Sequence, residues 1–541
     1  GPFNITKSNI TIYSDGFPIL DFIGGDGINL TGTNQEDVTC TGLHFKNFGA
    51  VAFGIPSNGS QDDAFKKRIV VEGNKFTDAE VSSGSVMAVK LTCRMQGARV
   101  ANNHIENLVT TATTGNPFVY GIAVGRKGDT LAGGRPGELW SYGYDGNIMN
   151  AEGSNHVSGN TIRKLRNSGA VNTDICTGIL VDGWRSAISG NTVEDVQYIG
   201  AGDNTQSGVG IYSRGHDAVI VGNTLADCTA GQVWTKDGSS SVTYGQLGHT
   251  IIANNTFRSL TALAHSYGRA SRIIGLFDNN VSVVDNQFDH CVVGVSGSLG
   301  GIVENVSQYS NVTISNNTFD RPTCDHVILA GGSGCDITNN KVLYPTGTVA
   351  GTTGWAFANY YGGTATRTGV NISDNVVIID EATFAAGAAV CSGVVGNIDV
   401  AVYGLTVRGN RFLGWGGANP AETWRLINFT VNVDTCESWD ISGNITDAAW
   451  RTVDRYGSVL LGGGATAYPS PMKLEWDFMG PVPLTAAITV APDESGLVLS
   501  NVGAAASLTH ILPVAVPRLV CRGIKAVNPP LLLHPNGTDI I

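Results

Sequence analysis

Short apolar segments recur along this chain at a nearly constant spacing, each around a Gly-Asn, Asn-Asn or similar pair. Each copy has an apolar residue, the pair, usually a polar residue such as Thr or Lys, and another apolar residue, as in VSGNTI at 157–162. The marker Asn of these copies lies at positions 74, 103, 160, 191, 223, 255, 286, 317, 340, 375, 410 and 444. Self-similarity at a fixed period of this size is the signature of stacked structural repeats.

The pattern within each copy predicts two short strands that meet at a tight corner. Gly and Asn tolerate positive φ, which a two-residue corner needs. Stacked Asn side chains are expected to share hydrogen bonds from one repeat to the next. Leucine-rich repeats lack support because the regularly spaced Leu residues that define them are not present. A β-propeller would need longer repeat units with hairpin turns. We therefore predict an all-β chain, a right-handed parallel β-helix of about a dozen coils of about 31 residues each.

Composition agrees with strands and tight turns rather than helices. The 541 residues include 71 Gly, and only 14% are charged, whereas surface helices use Glu, Lys and Arg heavily. Cys228 and Cys291 each follow a marker Asn by five residues, which predicts equivalent inward positions and reduced, buried thiols. Neither the Cys nor the acidic residues show metal-ligand spacing, so we predict no metal and no cofactor.

The net charge excludes some partners without identifying one. A formal charge of −12 argues against nucleic acid, because phosphate binding needs clustered Lys and Arg. No signal peptide or uninterrupted apolar stretch of membrane-spanning length is present, so membrane insertion is not expected.

The repeat defines the predicted domain boundaries. The β-helix is expected to cover residues 1–460. An insertion loop at 126–155 is expected to follow the strand Gly121–Val124. A Gly- and Pro-rich linker is expected at 461–485. Residues 486–541 read as a C-terminal β module that is cut short at Ile541.

This last module carries a resemblance to a known family. Its segments Ser495-Gly496, Asn501-Val502-Gly503-Ala504 and Ile511-Leu512-Pro513 resemble a β module of bacteriophage tail fibres and tailspikes. The Asn- and Gly-rich coils are also similar to tailspike β-helices. The resemblance implies a virion tail protein, made in the bacterial cytoplasm and attached through a missing N-terminal region. It also implies binding, and usually depolymerisation, of a bacterial surface polysaccharide.

The resemblance further implies a homotrimer. Side-by-side packing of three coils is expected to bury outward-facing apolar residues, and Val377 and Ile379 are the candidates in the sequence.

Two groups of residues are candidates for the polysaccharide site. The insertion loop contains Trp140, Tyr142, Tyr144 and Asp145, and aromatic rings of this kind stack on sugar rings or pack the loop down.

The second group comes from aligning the coils on the marker Asn. Period-two alternation then places Asp182, Tyr212, Arg214, Tyr244 and Gln246 on one outward patch of neighbouring coils, beside the loop. Exposed Asp and Arg residues are often merely solvated or paired with each other, so each member also has a purely structural interpretation.

The candidate residues leave two reaction types open. Glycoside hydrolysis needs two carboxyls, for which Asp182 is one candidate and its partner is one of Asp145, Glu152, Asp203 or Asp237. A uronate lyase needs a base such as Tyr212 or Tyr244 and a cation such as Arg214 or Lys236. Hydrolysis by a tailspike is the favoured function. The alternatives are a non-catalytic receptor-binding tail protein and a secreted β-helix enzyme such as a pectin or alginate lyase.

Overall fold

A computed structural model gives the fold of this chain. The structure describes the residues 2–56, 65–112, 117–125, 153–168, 175–183, 185–199, 208–214, 217–236, 249–260, 272–277, 279–293, 301–305, 309–346, 355–361, 366–380, 391–398, 402–415, 424–431, 438–446, 459–462, 472–476, 482–483, 498–500, 508–511, 522–524 and 531–534. The chain divides into two compact units, Gly1–Cys324 and Asp325–Ile541, which are described separately.

Unit 1 is built from three parallel sheets. Each coil contributes one strand to each sheet, and every pairing between named strands of this unit is parallel. Sheet A contains the strands Phe3–Ile5, Ile28–Leu30, Val51–Gly54, Val86–Leu91, Phe118–Val124, Ile175–Val181, Val209–Ser213, Gly231–Lys236, Ile274–Phe277 and Gly301–Asn305. Sheet B contains Ile10–Tyr13, Val38–Thr41, Val70–Glu72, Arg99–Ala101, His156–Ser158, Ala187–Ser189, Val219–Val221, Thr250–Ala253, Val281–Val284 and Val312–Ser315. Sheet C contains Ile19–Asp21, His44–Lys46, Lys75–Val81, His104–Thr110, Thr161–Asn167, Thr192–Tyr198, Thr224–Ala226, Thr256–Ser259, Gln287–Cys291 and Thr318–Asp320.

A smaller parallel sheet joins this unit near its start. It contains the strands Asn34–Glu36, Phe65–Lys67 and Arg94–Gln96. The chain runs repeatedly from sheet A to sheet B, around the Asn corner to sheet C, and back to sheet A. This arrangement confirms the predicted parallel β-helix.

The corner between sheets B and C uses the residues that the sequence predicted. The first residue of the pair has positive φ, as in Gly190 (φ 63°) and Asn254 (φ 54°). The second residue, the marker Asn, is buried and forms a ladder. In unit 1 the Nδ2 group of Asn191 donates to Oδ1 of Asn223, and Asn223 donates in the same way to Asn255, both at 2.9 Å. The ladder satisfies backbone groups that a buried corner leaves without partners.

The interior of the tube is filled by apolar side chains that repeat from coil to coil. Phe257, Phe288 and Phe319 stack on sheet C, with centroid separations of 4.9 and 4.4 Å between successive rings. Cys228 and Cys291 are buried free thiols, as predicted. Burial raises the pKa of the Cys228 thiol to about 12, so it is inert at neutral pH.

Unit 2 repeats the three-sheet plan. Sheet A contains the strands His326–Ala330, Trp355–Tyr361, Cys391–Ile398, Trp424–Val431 and Val459–Gly462, and sheet B contains Asp336–Thr338, Arg367–Ser373, Val402–Arg408, Trp439–Thr446 and Met472–Trp476. Sheet C contains Lys341–Leu343, Val376–Asp380 and Arg411–Trp415. The strand Trp439–Thr446 of sheet B also pairs with Arg411–Trp415. Within this unit, an Asn ladder runs from Asn340 through Asn375 and Asn410 to Asn444.

The C-terminal part of unit 2 contains one three-stranded and one two-stranded parallel sheet, both built from short strands. These strands are Val482–Pro483, Val498–Ser500, Leu508–Ile511, Arg522–Ile524 and Leu531–His534. The predicted linker at 461–485 therefore includes Met472–Trp476, which pairs with a coil of sheet B.

The structure corrects the orientation of two residues. Val377 and Ile379 were expected to face outward, yet both are fully buried and alternate with partly exposed neighbours in the strand Val376–Asp380. The alternation places them inside the tube, because the residue after the marker Asn375 points outward. They are therefore unsuitable for packing against another subunit.

Sheet A departs from strict alternation in a way that matters for its outer side. A Cβ added at Gly121 would lie 3.0 Å from the side chain of Ile162 on sheet C, so position 121 faces the interior. Tyr120 and Ala123 belong instead to an apolar cluster that includes Tyr212. Around Gly121, the outward positions 120 and 123 therefore lie three residues apart, with two inward positions between them. No helix long and apolar enough to cross a membrane occurs in the part of the chain that the structure describes.

Candidate functional site

The outer side of sheet A in unit 1 carries a row of side chains from successive coils. The backbone register places Leu180 opposite Tyr212, and Tyr212 opposite Trp234. The same column continues through Gly275 to Glu304. Because adjacent strands are about 4.8 Å apart, the row from Leu180 to Glu304 extends about 19 Å.

Asp182 and Arg214 form an ion pair at one end of this row. They follow adjacent strands of sheet A, and the Arg214 N–H donates to the carbonyl of Val181. Nε and Nη2 of Arg214 donate to the two carboxylate oxygens of Asp182 at 2.6 and 2.5 Å. The side chains are only 12% and 3% exposed, so this is a bidentate pair held largely away from water.

Tyr212 lies between this ion pair and the next aromatic residue. The guanidinium of Arg214 is 5.6 Å from the centre of the Tyr212 ring. The rings of Tyr212 and Trp234 meet edge to face at 6.1 Å. Burial raises the pKa of the Tyr212 phenol to about 12, so the hydroxyl remains protonated at neutral pH.

A second Arg–carboxylate pair flanks Trp234 on its other side. The guanidinium of Arg272 is 5.8 Å from the centre of the Trp234 ring, and its Nε lies 3.0 Å from a carboxylate oxygen of Glu304. These two charged side chains are 16% and 7% exposed. Burial raises the pKa of the Glu304 carboxyl, and the positive charge of Arg272 opposes that effect. Glu304 is therefore a carboxyl whose proton affinity is increased by its surroundings.

The distance between the two carboxyls of this row limits the chemistry that they can perform together. Asp182 and Glu304 belong to opposite ends of a row about 19 Å long, which exceeds the separation of about 5 to 9.5 Å that paired carboxyls need for glycoside hydrolysis. These two residues therefore cannot act on the same glycosidic bond. The two aromatic residues between the ion pairs, Tyr212 and Trp234, are only 3% and 6% exposed.

The structure brings together three of the residues predicted from the sequence. Asp182, Tyr212 and Arg214 lie in contact on neighbouring coils, as the alignment on the marker Asn predicted. They are largely buried, whereas the sequence suggested an exposed patch. The strand beside Tyr212 is Gly231–Lys236, so Trp234 has the place that was predicted for Tyr244.

Several predicted residues have no described position. Those that lie outside the described residues are Trp140, Tyr142, Tyr144, Asp145, Glu152, Asp203, Asp237, Tyr244 and Gln246.

Sequence reasoning missed Trp234 and Arg272 as members of this row. The coil that contains Trp234 reaches sheet A only eight residues after its marker Asn223, whereas the preceding coil, with marker Asn191, takes eighteen. Counting backward from the next marker therefore selected the wrong segment. Counting forward from Asn223 and accepting the segment around Val233 and Trp234 as a strand would have identified it.

One cluster of possible metal ligands lies elsewhere, on sheet C. Ligand atoms of Asp289, His290 and Asp320 are all within 4.8 Å of one another. Two of these residues already contact guanidinium groups, since Arg258 is 3.7 Å from Asp289 and Arg321 is 3.2 Å from His290. The positive charges disfavour a cation at this cluster.

Comparison with known proteins gives a match among solved structures. No protein-family model matches the chain, and no curated protein sequence matches it. Among solved structures, a double mutant of the tailspike protein of E. coli bacteriophage HK620 is similar at 14% identity. The match covers 87% of this chain and 74% of that chain, with a TM-score of 0.37.

Proposed function

We propose that this chain binds a bacterial surface polysaccharide along the outer side of sheet A in unit 1 and hydrolyses its glycosidic bonds. The observation that carries the proposal is the row in which Tyr212 and Trp234 lie between the Asp182–Arg214 and Arg272–Glu304 pairs. A solenoid binds extended ligands along such a face.

The composition of the row favours a sugar polymer. Aromatic rings provide apolar faces for sugar rings, while carboxylate and guanidinium groups accept from and donate to hydroxyls. In both pairs the positive charge is already balanced by a carboxylate. The row therefore matches polar, hydroxyl-bearing ligands better than nucleic acid, which agrees with the net charge of −12.

Hydrolysis fits these residues better than elimination does. A lyase base must lose its proton near neutral pH, but the pKa of Tyr212 is raised to about 12. Its proposed cation, Arg214, is bound bidentately by Asp182 rather than turned to a sugar carboxylate. Asp182 is the candidate carboxylate, with Asp145, Glu152, Asp203 or Asp237 as its proposed partner.

Receptor binding without cleavage is the second candidate function. Both carboxyls of the row are engaged by arginine, and this supports a site that recognises the polymer without transferring protons. On either function we place the protein in a bacteriophage tail, as a homotrimer that attaches to the virion through a region preceding the coils. The tail-fibre resemblance of residues 486–541 supports that placement.

The test is incubation of the protein with capsular polysaccharides and lipopolysaccharides from a panel of bacteria, followed by mass spectrometry of released fragments. Hydrolysis predicts fragments whose mass includes one added water, with new reducing ends. Unsaturated fragments that absorb ultraviolet light through a new conjugated double bond would instead establish a lyase. Stable binding without any fragments would establish the receptor-binding function.

A further inference from the structure

The outer side of sheet A in unit 1 contains an aromatic residue outside the row described above. Phe118 begins the strand Phe118–Val124 and packs against the apolar cluster that contains Tyr120 and Tyr212. The members of that cluster are at most 9% exposed, whereas Phe118 is only partly buried. Phe118 is therefore the aromatic side chain of this group that is open to a ligand from solution.

Ring geometry places Phe118 on the outer side of the sheet. The ring centroids of Phe118 and Tyr120 are 5.8 Å apart and the ring planes differ by only 12°, so the two rings form an offset stack. Tyr120 faces outward because Gly121 faces the interior, and Val119 is fully buried. Phe118 and Tyr120 therefore lie side by side on the outer face of one strand.

Two hydrogen bonds hold the main chain at Phe118 in place. The N–H of Phe118 donates to Oγ of Ser85 on the preceding coil at 2.9 Å. Nδ2 of Asn167 donates to the carbonyl of Pro117, also at 2.9 Å. Because these bonds fix the main chain and Tyr120 supports the ring, Phe118 loses little conformational freedom when a ligand binds.

Tyr120 connects Phe118 to the ion pair at the end of the row. Burial raises the pKa of the Tyr120 phenol, and the charges of Arg214 and Asp182 also act on that pKa. The register pairs Phe118 with Ile175, and Asp182 lies seven residues after Ile175. At about 3.3 Å per residue, Phe118 and Asp182 are about 23 Å apart along the strand direction. A polymer that crosses the outer side of sheet A would extend from one residue to the other.

We propose that Phe118 is a further sugar-binding residue of this chain, which stacks its ring on the apolar C–H face of a hexopyranose unit. A hexopyranose has hydroxyls around its rim and C–H groups on its faces, so a fixed aromatic ring complements it without any charged group. Tyr120 is the positioning residue, because it supports the ring of Phe118. The inference rests on the proposed function for the polymer to which the hexopyranose belongs.

The experiment uses the full chain with 4-fluorophenylalanine in place of its 18 Phe residues and follows the ¹⁹F signals. Phe118→Tyr identifies the Phe118 signal by its loss and keeps an aromatic ring at the site. Methyl β-D-glucopyranoside, methyl β-D-galactopyranoside and methyl α-L-rhamnopyranoside are added separately. We expect at least one glycoside to move the Phe118 signal in a saturable manner. Sorbitol, which has hydroxyls but no ring, should not move it.

Phe65 provides the matched control, because it is also a partly exposed Phe at the start of a strand, Phe65–Lys67. Lys67 and Arg94 lie over its ring at 5.1 and 5.5 Å from the centroid, so its signal should not respond to the glycoside. Phe118→Leu keeps an apolar side chain but removes the flat ring. It should weaken the glycoside about 10-fold, the upper scale of an aromatic contact, as saturation transfer to the glycoside protons would measure.

The inference is overturned when none of the three glycosides moves the Phe118 signal, or when the Phe65 signal moves to the same extent. Phe118 then has only a packing role at the edge of the apolar cluster. A failure of the proposed function is seen separately, because that function requires polysaccharide binding that depends on Trp234. Unchanged polysaccharide binding by Trp234→Ala, together with a response of Phe118 to a glycoside, would contradict the proposed function alone.

Discussion

Arg214 donates two hydrogen bonds to the carboxylate of Asp182 on the preceding coil, in a place where both side chains are nearly out of water. A buried ion pair is weak evidence for stability as a whole, but removal of one partner leaves the other charge uncompensated. The pair is therefore part of the fold as well as a candidate for chemistry.

We predict that Asp182→Asn lowers the free energy of unfolding by about 3 to 5 kcal/mol, because Arg214 would remain buried without a counter-charge. A substitution at an exposed carboxylate would not have this effect. Urea unfolding of both the variant and the wild type measures the difference. An unchanged free energy of unfolding would mean that Arg214 is hydrated in solution.

The chain offers a matched control for this experiment. Arg68 also binds Asp37 bidentately, with both contacts at 2.7 Å, but the side chains are 56% and 42% exposed. Asp37→Asn should leave stability nearly unchanged, since exposed pairs contribute little. Activity of Asp182→Asn is informative only at temperatures where the variant is shown to be folded.

The Asn ladder predicts that removal of one side-chain amide substantially lowers the stability of the protein. Asn255 accepts from both the backbone N–H and the side-chain amide of Asn223, and donates to Ile220 and Asn286. Asn255→Ala should destabilise the protein by about 2 to 3 kcal/mol, because it leaves buried donors and acceptors without partners. Thermal unfolding measures this effect.

The adjacent residue provides the control for the ladder. Asn254 has φ of 54° at the same corner, where other coils have Gly. Asn254→Gly should preserve stability, because Gly adopts this conformation without steric cost. Equal destabilisation by the two variants would indicate that the corner backbone, rather than the ladder, determines stability.

The buried His326 makes stability depend on pH. Its pKa is lowered to about 4 in the folded chain and is about 6.5 when unfolded, so above pH 6.5 its contribution is fully present. As pH falls from 6.5 towards 4, the unfolded chain gains a proton and the folded chain does not, which lowers the free energy of unfolding by up to about 3 kcal/mol. Asp325, with its pKa raised to about 6, acts in the opposite direction over a similar range.

Two variants separate these opposing contributions. His326→Gln should lose less stability between about pH 7 and about pH 5 than the wild type, and Asp325→Asn should lose more, as the urea midpoints at the two pH values would show. Identical pH slopes in all three proteins would contradict burial of the histidine.

The phenol of Tyr212 distinguishes the two reaction types. Tyr212→Phe removes a hydroxyl that is protonated at neutral pH, so a hydrolase should retain most of its activity. A lyase that uses this tyrosine as its base should lose at least ~10²-fold in rate. Reducing-end formation and ultraviolet absorbance, followed in parallel, measure the two activities.

The fold was predictable because it is encoded locally. The corner pair needs positive φ, the marker Asn needs partners above and below it, and both requirements recur in the sequence at each coil. The site was less predictable. The length of the connection before each sheet A strand varies between coils, so Trp234 was missed, and Val377 was assigned to the wrong side. Burial of Asp182 and Arg214 depends on residues that pack on the outer side of sheet A. The hydrophobic pattern of a single strand does not specify those residues.

Polysaccharide binding by Trp234→Ala tests the central claim most directly. The measurement is the dissociation constant for the surface polysaccharide that the wild-type protein binds, with Tyr13→Ala as the control because Tyr13 is an exposed aromatic residue of the first coil. We predict a loss of at least ~10-fold for Trp234→Ala, the scale of an aromatic residue at the centre of a binding site, and no change for Tyr13→Ala. Unchanged affinity in a folded Trp234→Ala protein would contradict the assignment of the site to the outer side of sheet A.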